Sequence, residues 1–409
     1  MEVWSEGKIS DFADVKGGKR LPKGKQLISE PNLHPYIRIR DLGKSKVLEL
    51  NSDYEYVDDE TQKSIARYIV DAGDILISVV GTIGLIAIVG ESLDKANQTE
   101  NCDKIINLKG INRDYLYYYL ISPAGQEEIK KGTVGAVQPK LPLKNVQDIN
   151  IKYPSLETQE KIVSILNAID AKIYTNEAIN RNLQEQLKAI FDAWFYKMEP
   201  FGGEEPKGTE YIPLEKLCVA VTKGTTPTTL GMSFTDEGIN FIKGETILDN
   251  HGFDRSKLSF ISEDTHEKLK RSQIENGDIV FTIAGTLGRF ALVDESMIPA
   301  NTNQAVAIIR SKCIAPEYLY SFFLGNWHND YYTKRIQQAV QANLSLGTIK
   351  SLPIAVLPKV YYKEYLDIIK PLIRETKRIE AENMKLIELR DSLLPRLMSG
   401  ELDVSDLDI

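Results

Sequence analysis

The strongest constraint on this chain is a stripe of residues running through Thr158 to Lys197. Ile162, Leu166, Ile169, Ile173, Asn176, Asn180, Leu183, Leu187, Ile190 and Trp194 alternate four and three apart. That is the spacing of a helix that buries a narrow seam against a partner helix. A second stripe with this alternation lies in the same chain, at Ile369, Leu372, Thr376, Ile379, Asn383, Leu386, Arg390 and Leu393. Leu166, Ile169, Asn180, Leu183 and Ile190 each have a counterpart 203 residues later, at Ile369, Leu372, Asn383, Leu386 and Leu393. Two seams in phase predict a duplicated chain with a long helix closing each half. If the helices pair as an antiparallel coiled coil, an internal pseudo-two-fold relates the halves, as in a dimer fused into one chain. The polar seam positions Asn176, Asn180 and Asn383 would cost stability and fix the register of the pair.

The duplication extends beyond the helices. Gly73-Asp74-Ile75-Leu76 returns as Gly277-Asp278-Ile279-Val280, and Gly81-Thr82-Ile83-Gly84 as Gly285-Thr286-Leu287-Gly288. Val15 to Gly18 matches Val221 to Gly224, Arg113 to Tyr117 matches Pro316 to Tyr320, and Ala136-Val137-Gln138 matches Ala339-Val340-Gln341. Between these blocks the copies differ, as in Lys19 to Lys25 against Thr225 to Gly231. The expected fold class is α+β, with two similar globular α/β domains, residues 1–153 and 211–357, alternating with helical spacers at 154–200 and 358–400. A Gly/Pro/charge linker fills 201–210, and the acidic tail at 401–409 should fray.

Within the first domain, Tyr36 to Arg40 reads as a short strand, and Ile75 to Val80 with Leu85 to Val89 as a hairpin around the Gly-containing turn. Lys104 to Leu108 reads as another strand, and Leu141 to Ile151 as an extended return. Tyr115, Leu116, Tyr119 and Leu120 have helical spacing, so the tyrosines at 115 and 117–119 are expected to pack more than to stack on bases. Pro154-Ser155 should cap the first long helix, which should end near Met198, and Pro395 should end or kink the second.

Composition narrows the function classes. Three cysteines far apart, with no C-x-x-C pair, suit a reducing compartment and are expected to be buried. His34, His251, His266 and His328 are scattered without metal-ligand spacing. Gly18 to Lys25 mimics a phosphate loop, but its glycines are wrongly spaced and Gln26 stands where Ser or Thr is needed. No apolar run approaches a membrane span, so the chain is expected in the cytoplasm. A net charge of -8 excludes a coat of cationic surface, so contact with nucleic acid must rest on local patches. Two similar heads on long helices suit a ligand with two sites at fixed spacing, and duplex DNA is the obvious case.

At this point the sequence resembles the specificity subunits of type I restriction-modification enzymes. The likeness rests on the duplicated Gly-Asp-Ile and Gly-Thr-x-Gly blocks and on Pro154 to Ile162 leading into the first helix. Phe191-Asp192-Ala193-Trp194-Phe195 at its end and Leu393 to Leu402 at the C-terminus complete it. One departure is Leu357 to Tyr362, which lacks the Glu-Thr-Gln-Glu found before the first helix. The resemblance implies a non-catalytic subunit whose two target-recognition domains each read one half of a bipartite double-stranded DNA sequence. It implies that the helices set the spacing and dock two methyltransferase subunits, and that motor-nuclease subunits join them. S-adenosylmethionine, ATP and Mg2+ would be bound by those partners, with adenine flipped out for methylation; this chain would bind no cofactor. A standalone DNA-binding protein and a coiled-coil adaptor are the other classes open to such a chain.

Contacts to DNA should come from basic and amide side chains in the loops. In the first domain the candidates are Lys16, Lys19, Arg20, Lys23, Lys25, Arg38, Arg40, Gln138 and Lys140, with Arg38 and Arg40 on one face of a strand. In the second they are Lys223, Thr225, Thr226, Lys243, Arg289, Gln341 and Asn343.

Overall fold

The computed structural model describes residues 4–328, 331, 344–405 and 407. The chain divides into two compact units, Met1–Ile173 with Lys385–Ile409, and Tyr174–Met384, so each long helix contributes to both.

In the first unit a five-stranded sheet runs in the order Asp14–Gly17, Cys102–Ile106, Ile75–Ser78, Ile86–Val89, Val47–Leu48. The hairpin expected from the sequence is there, with Ile75 opposite Ile88 and Ile77 opposite Ile86. Side chains alternate along a strand, so one sheet has two faces to bury. Ile75, Ile77, Ile86, Ile88 and Ile105 pack on the helix Arg113–Ile121 and on Ile162 and Leu166 of the long helix. Leu76, Ala87, Val89 and Cys102 pack on Ile37 and Tyr56 of a small sheet ordered Glu55–Tyr56, Pro35–Ile37, Asn97–Gln98. Burial of both faces explains the continuous apolar runs in these strands. Tyr115 to Tyr119 are all buried, and the Tyr115 hydroxyl donates to the Lys152 carbonyl at 2.8 Å.

The second unit repeats the plan with its own residues. Its sheet runs Cys218–Lys223, Val306–Ser311, Ile279–Thr282, Phe290–Leu292. Ile279, Phe281, Phe290 and Ile309 pack on Tyr318, Phe322 and the long helices. Val280, Ala291, Val306 and Ile308 face a small sheet ordered Ser259–Ile261, Ile239–Ile242, Ala300–Thr302, Gln273–Ile274.

The long helices are Leu156–Phe191, continued by one π turn at Asp192–Tyr196, and Lys359–Ser399. Ser155 Oγ caps the first by accepting from the Thr158 amide at 3.3 Å. Within each unit the two segments run antiparallel. In the first, Ile162 and Leu166 share a cluster with Leu394 and Leu397, and Arg390 donates to Asp170 at 3.2 Å. In the second, Asn176 Nδ2 donates to Asn383 Oδ1 at 2.8 Å and Asn180 Nδ2 to the Thr376 carbonyl at 3.5 Å. Leu187 and Trp194 there join Ile369 and Ile373. Of the seam positions, Ile162, Leu166, Ile169, Ile173, Asn176, Leu183, Leu187, Trp194, Ile369, Thr376 and Ile379 are buried. Asn180, Ile190, Leu372, Asn383, Leu386, Arg390 and Leu393 are half-buried. Phe191, Phe195, Ile373, Leu394 and Leu397 are buried beside the stripe, because the ends of the helices face a domain as well as a partner helix.

Several local expectations are corrected. The strand at Tyr36 stops at Ile37 and a 3-10 turn follows at Ile39–Asp41, so Arg38 and Arg40 do not share a strand face. Leu141 to Ile151 is not extended throughout, since Leu143–Gln147 is helical and only Asn150–Tyr153 forms a strand. The first helix does end near Met198, but its last turn is π, at Asp192–Tyr196, which brings Trp194 and Phe195 into the aromatic cluster around Tyr365. Pro395 does not end the second helix, which runs to Ser399. Burial of Leu394, Leu397 and Met398 outweighs the roughly 3 kcal/mol that a helical proline costs. Nor is the tail loose where it is described, because Val404 is buried and the Lys161 amine donates to the Ser405 carbonyl at 2.6 Å. Among the cysteines only Cys102 is buried, while Cys218 is intermediate and Cys313 exposed.

The Asn176 side chain is only 1% exposed, so its hydrogen bond to Asn383 carries a specific expectation. Asn176→Leu alone should destabilise the protein by about 1–2 kcal/mol, since Asn383 loses a buried donor. Asn176→Leu with Asn383→Leu should recover most of that loss. Urea melts of both variants measure it, and equal losses would show that packing rather than the hydrogen bond sets the cost.

Candidate nucleic-acid interface

Strand order gathers several of the described sequence candidates at one end of each sheet. In the first domain Gly18 closes the edge strand with its amide on the Cys102 carbonyl at 3.1 Å, and the Lys19 amide follows onto the Gln98 carbonyl at 3.4 Å. In the second, the Gly224 amide reaches the Val306 carbonyl at 3.3 Å and the Thr225 amide the Thr302 carbonyl at 3.1 Å. A Cβ on Gly18 would lie 2.0 Å from the Thr99 carbonyl oxygen, and one on Gly224 1.9 Å from that of Thr302. These glycines are required by close backbone approach, which accounts for the look of a phosphate loop at Gly18.

Other segments reach the same end. Arg38 follows the strand that pairs Ile37 with Gln98, and Lys243 follows the strand that pairs Ile242 with Thr302. The Leu141 amide bonds the Val79 carbonyl at 2.8 Å and the Leu344 amide the Ile283 carbonyl at 3.0 Å. The first of these ties the loop carrying Gln138 and Lys140 beside the Gly81 to Gly84 turn. The Gly-Asp blocks serve the opposite end, where Asp74 and Asp278 accept from the amides of Asp71 at 2.9 Å and Glu275 at 2.8 Å.

The candidates differ in how far they are already engaged. Arg20 pairs with Glu100 at 2.6 Å, and Lys25 with Glu60 at 2.5 Å and Asp58 at 3.2 Å. Arg38 and Arg40 converge on Glu55. Arg289 spends its fork on Asp249, with two bonds of 2.7 Å, and sends its remaining nitrogen to the Ile247 carbonyl. It therefore pins the start of its strand to the Ile247 loop. The Thr226 hydroxyl bonds Gln304. Lys19 lies 5.6 Å from the centre of the Tyr68 ring and Lys243 4.6 Å from that of Phe234. Lys16, Lys23, Gln138, Lys140 and Lys223 are exposed and make no side-chain hydrogen bond or ion pair among the described residues. Gln341 and Asn343 lie outside the described residues. Exposed ion pairs contribute little to stability and can be exchanged for phosphate at little cost.

Sequence reasoning passed over Lys130, exposed near the end of the helix Pro123–Gly132 that leads into this loop, and Val137, exposed next to Gln138. The repeated Ala-Val-Gln block was the signal for Val137. Two histidines sit in apolar surroundings far from metal chemistry. Burial pushes His251 and His328 each down to about 4, and the His251 ring stacks on Phe290 at 4.0 Å.

A duplicated scaffold that carries two sets of divergent loops defines a recognition protein, and comparisons identify its class. A family model for the type I restriction modification DNA specificity domain matches residues 1–185 and again 206–389. The MjaIX specificity subunit of Methanocaldococcus jannaschii is 24% identical over 415 residues, covering 99% of this chain and 94% of that one. The HindI specificity subunit of Haemophilus influenzae is 24% identical over 366 residues, covering 71% and 77%. The crystal structure of the type I restriction-modification S subunit from M. genitalium shares the fold, with a TM-score of 0.54 at 17% identity over 97% of this chain and 96% of that one. The chain belongs to the family of type I restriction-modification DNA specificity subunits, and its role is DNA recognition.

A buried carboxyl lies behind the first-domain loops. Asp103 pairs with Gly17 across the edge strand, is buried, and has one oxygen without a hydrogen-bond partner. Burial pushes its carboxyl up to about 6. The neutral form is favoured in the fold, so Asp103 lowers stability as pH rises from about 4 through 6. Asp103→Asn should stabilise the protein by up to about 3 kcal/mol at pH 8 and by almost nothing at pH 4. Urea melts at the two pH values measure the difference, and a gain independent of pH would rule out a buried charge as its cause.

Proposed function

We propose that residues 1–153 and 211–357 each read one half of a bipartite double-stranded DNA target, using the loop end of their sheet. Lys16, Lys19, Arg20, Lys23, Arg38 and Lys140 supply phosphate contacts in the first half, and Lys223 and Lys243 in the second. Gln138, Gln341 and Asn343 reach base edges, joined by Thr225 and Thr226. The paired helices, residues 154–200 and 358–400, hold the two domains at a set spacing and dock two methyltransferase subunits. Chemistry resides in the partners: methylation of adenine with S-adenosylmethionine, and cleavage by motor-nuclease subunits with ATP and Mg2+. This chain binds the DNA in the cytoplasm and catalyses nothing itself.

One observation carries the reading. Gly18 and Gly224 end equivalent strands with equivalent backbone bonds, yet the chain that follows them has diverged completely, from Lys19-Arg20-Leu21 to Thr225-Thr226-Pro227. A common scaffold with different side chains at one end is what two readers of two different half-sites require.

Adenine methylation should be mapped in cells carrying this chain with its methyltransferase partner and in cells lacking only this chain. A bipartite methylated motif should vanish with the chain, and replacing residues 1–153 should change one half of the motif and leave the other intact. A motif that persists, or that changes in both halves, would overturn the reading.

A further inference from the structure

Val137 is 93% exposed. A lone exposed apolar side chain is ordinary and needs no explanation. Leu33 is as bare, at 90%, and the stretch one repeat later, Asp236-Glu237-Gly238, holds no apolar residue at all. Two observations set Val137 apart from such cases.

The first is that its loop is built to hold it still. The Val134 amide donates to the Lys140 carbonyl at 2.8 Å, and the Lys140 amide returns a bond to the Val134 carbonyl at 2.9 Å, closing a tip of five residues. Pro139 restricts that tip, and Gly135 adopts φ +96° where a Cβ would come within 2.8 Å of the Gln138 carbonyl oxygen. The base of the loop is fastened at three more points. The Leu141 amide bonds the Val79 carbonyl at 2.8 Å, Asn145 Nδ2 the Gly132 carbonyl at 2.7 Å, and the Thr133 hydroxyl the Ile129 carbonyl at 2.9 Å. A rigid tip loses little entropy on binding, which is what recognition favours.

The second is that Ala-Val-Gln is retained at Ala339-Val340-Gln341 in the second copy, while the loops after Gly18 and Gly224 share almost nothing. Whatever this tip touches is common to the two half-sites. Resting on the proposed function, each half contains an adenine that is methylated, and so an A·T pair. The apolar group that base pairs expose in the major groove is the thymine C5-methyl, and glutamine reads the N6/N7 edge of adenine. Adjacent Cα atoms are about 3.8 Å apart, close to the roughly 3.4 Å rise between base pairs, so Val137 and Gln138 can address neighbouring positions. Lys130 and Lys140, on either side of the tip along the chain, are exposed.

We propose that the Val137–Gln138 tip enters the major groove and that Val137 packs against the methyl group of a thymine in the half-site read by residues 1–153. Val137 is then a specificity-determining residue that selects thymine at one position by an apolar contact, with Gln138 reading the adjacent edge.

The test uses the full chain assembled with its methyltransferase partner, and a duplex carrying the methylated motif mapped as above. Each thymine of the first half is replaced in turn by uracil, which lacks only the C5-methyl. At one position uracil should weaken binding about 4-fold, the worth of one buried carbon at ~0.8 kcal/mol. Val137→Ala should lose a similar factor on the thymine duplex and should no longer tell thymine from uracil there. Its melting temperature should be unchanged, because the side chain packs on nothing in the free protein. If no uracil weakens binding, or if Val137→Ala keeps the full distinction, the contact does not exist and the proposal fails. Failure of the underlying reading looks different, since the assembled protein would then bind the motif no better than a scrambled duplex, and both ideas would fall together.

Discussion

Neither domain closes its own core. The helix-facing side of the first sheet is sealed by Ile162, Leu166, Leu394 and Leu397, and that of the second by Leu187, Phe191, Tyr365 and Ile369. At ~25 cal/mol per Å2 of apolar surface, four such side chains contribute several kcal/mol, comparable to the whole stability of a typical domain. The helices are therefore structural parts of the recognition domains as well as connectors between them. This dependence explains why their stripes widen toward the ends and why Pro395 and the π turn at Asp192–Tyr196 are tolerated within them.

The two copies solve the junction between domain and helix differently. In the first unit it is polar: the Lys46 amine lies 3.0 Å from Asp114 and 4.3 Å from the centre of the Tyr118 ring, and the Tyr118 hydroxyl is 2.6 Å from Asp170, which Arg390 also meets. In the second unit the positions one repeat away from Asp170 and Arg390 are Ile373 and Leu187, both in an apolar cluster. The second junction is not wholly apolar, since Gln184 donates to the Asn250 carbonyl at 2.6 Å and the Ala315 amide to the Tyr362 hydroxyl at 2.8 Å. Asp114 is kept below the usual carboxylate range by Asn167 and Lys46 despite its burial, as an engaged network requires.

At the loop end the balance of charge bears on recognition. Most of the arginines there already hold a carboxylate, among them Arg20 on Glu100 and Arg38 on Glu55. Such exposed pairs lower the positive charge that the loop end of a chain of net charge -8 presents, and they can be exchanged for other anions at little cost.

The duplication, the helix pair, the hairpin at Ile75 to Val89 and the buried face of Tyr115 to Tyr119 follow from sequence by itself. Each is a matter of periodicity or of glycine-marked turns, and these patterns survive burial because burial is what selects them. Leu143–Gln147 and the turn after Ile37 could not be read this way, since short segments take their conformation from what they pack on. The basic residues were visible in the sequence, but not which of them were already held by Glu55, Glu60, Glu100 or Asp249, because those partners lie 15 to 80 residues away along the chain. Tertiary structure alone decided that distant loops share one end of a sheet, and that Val137 stands bare in a loop braced by backbone and side-chain hydrogen bonds. Sequence records spacing along one dimension, while contact is set by how sheets and helices fold that dimension back on itself.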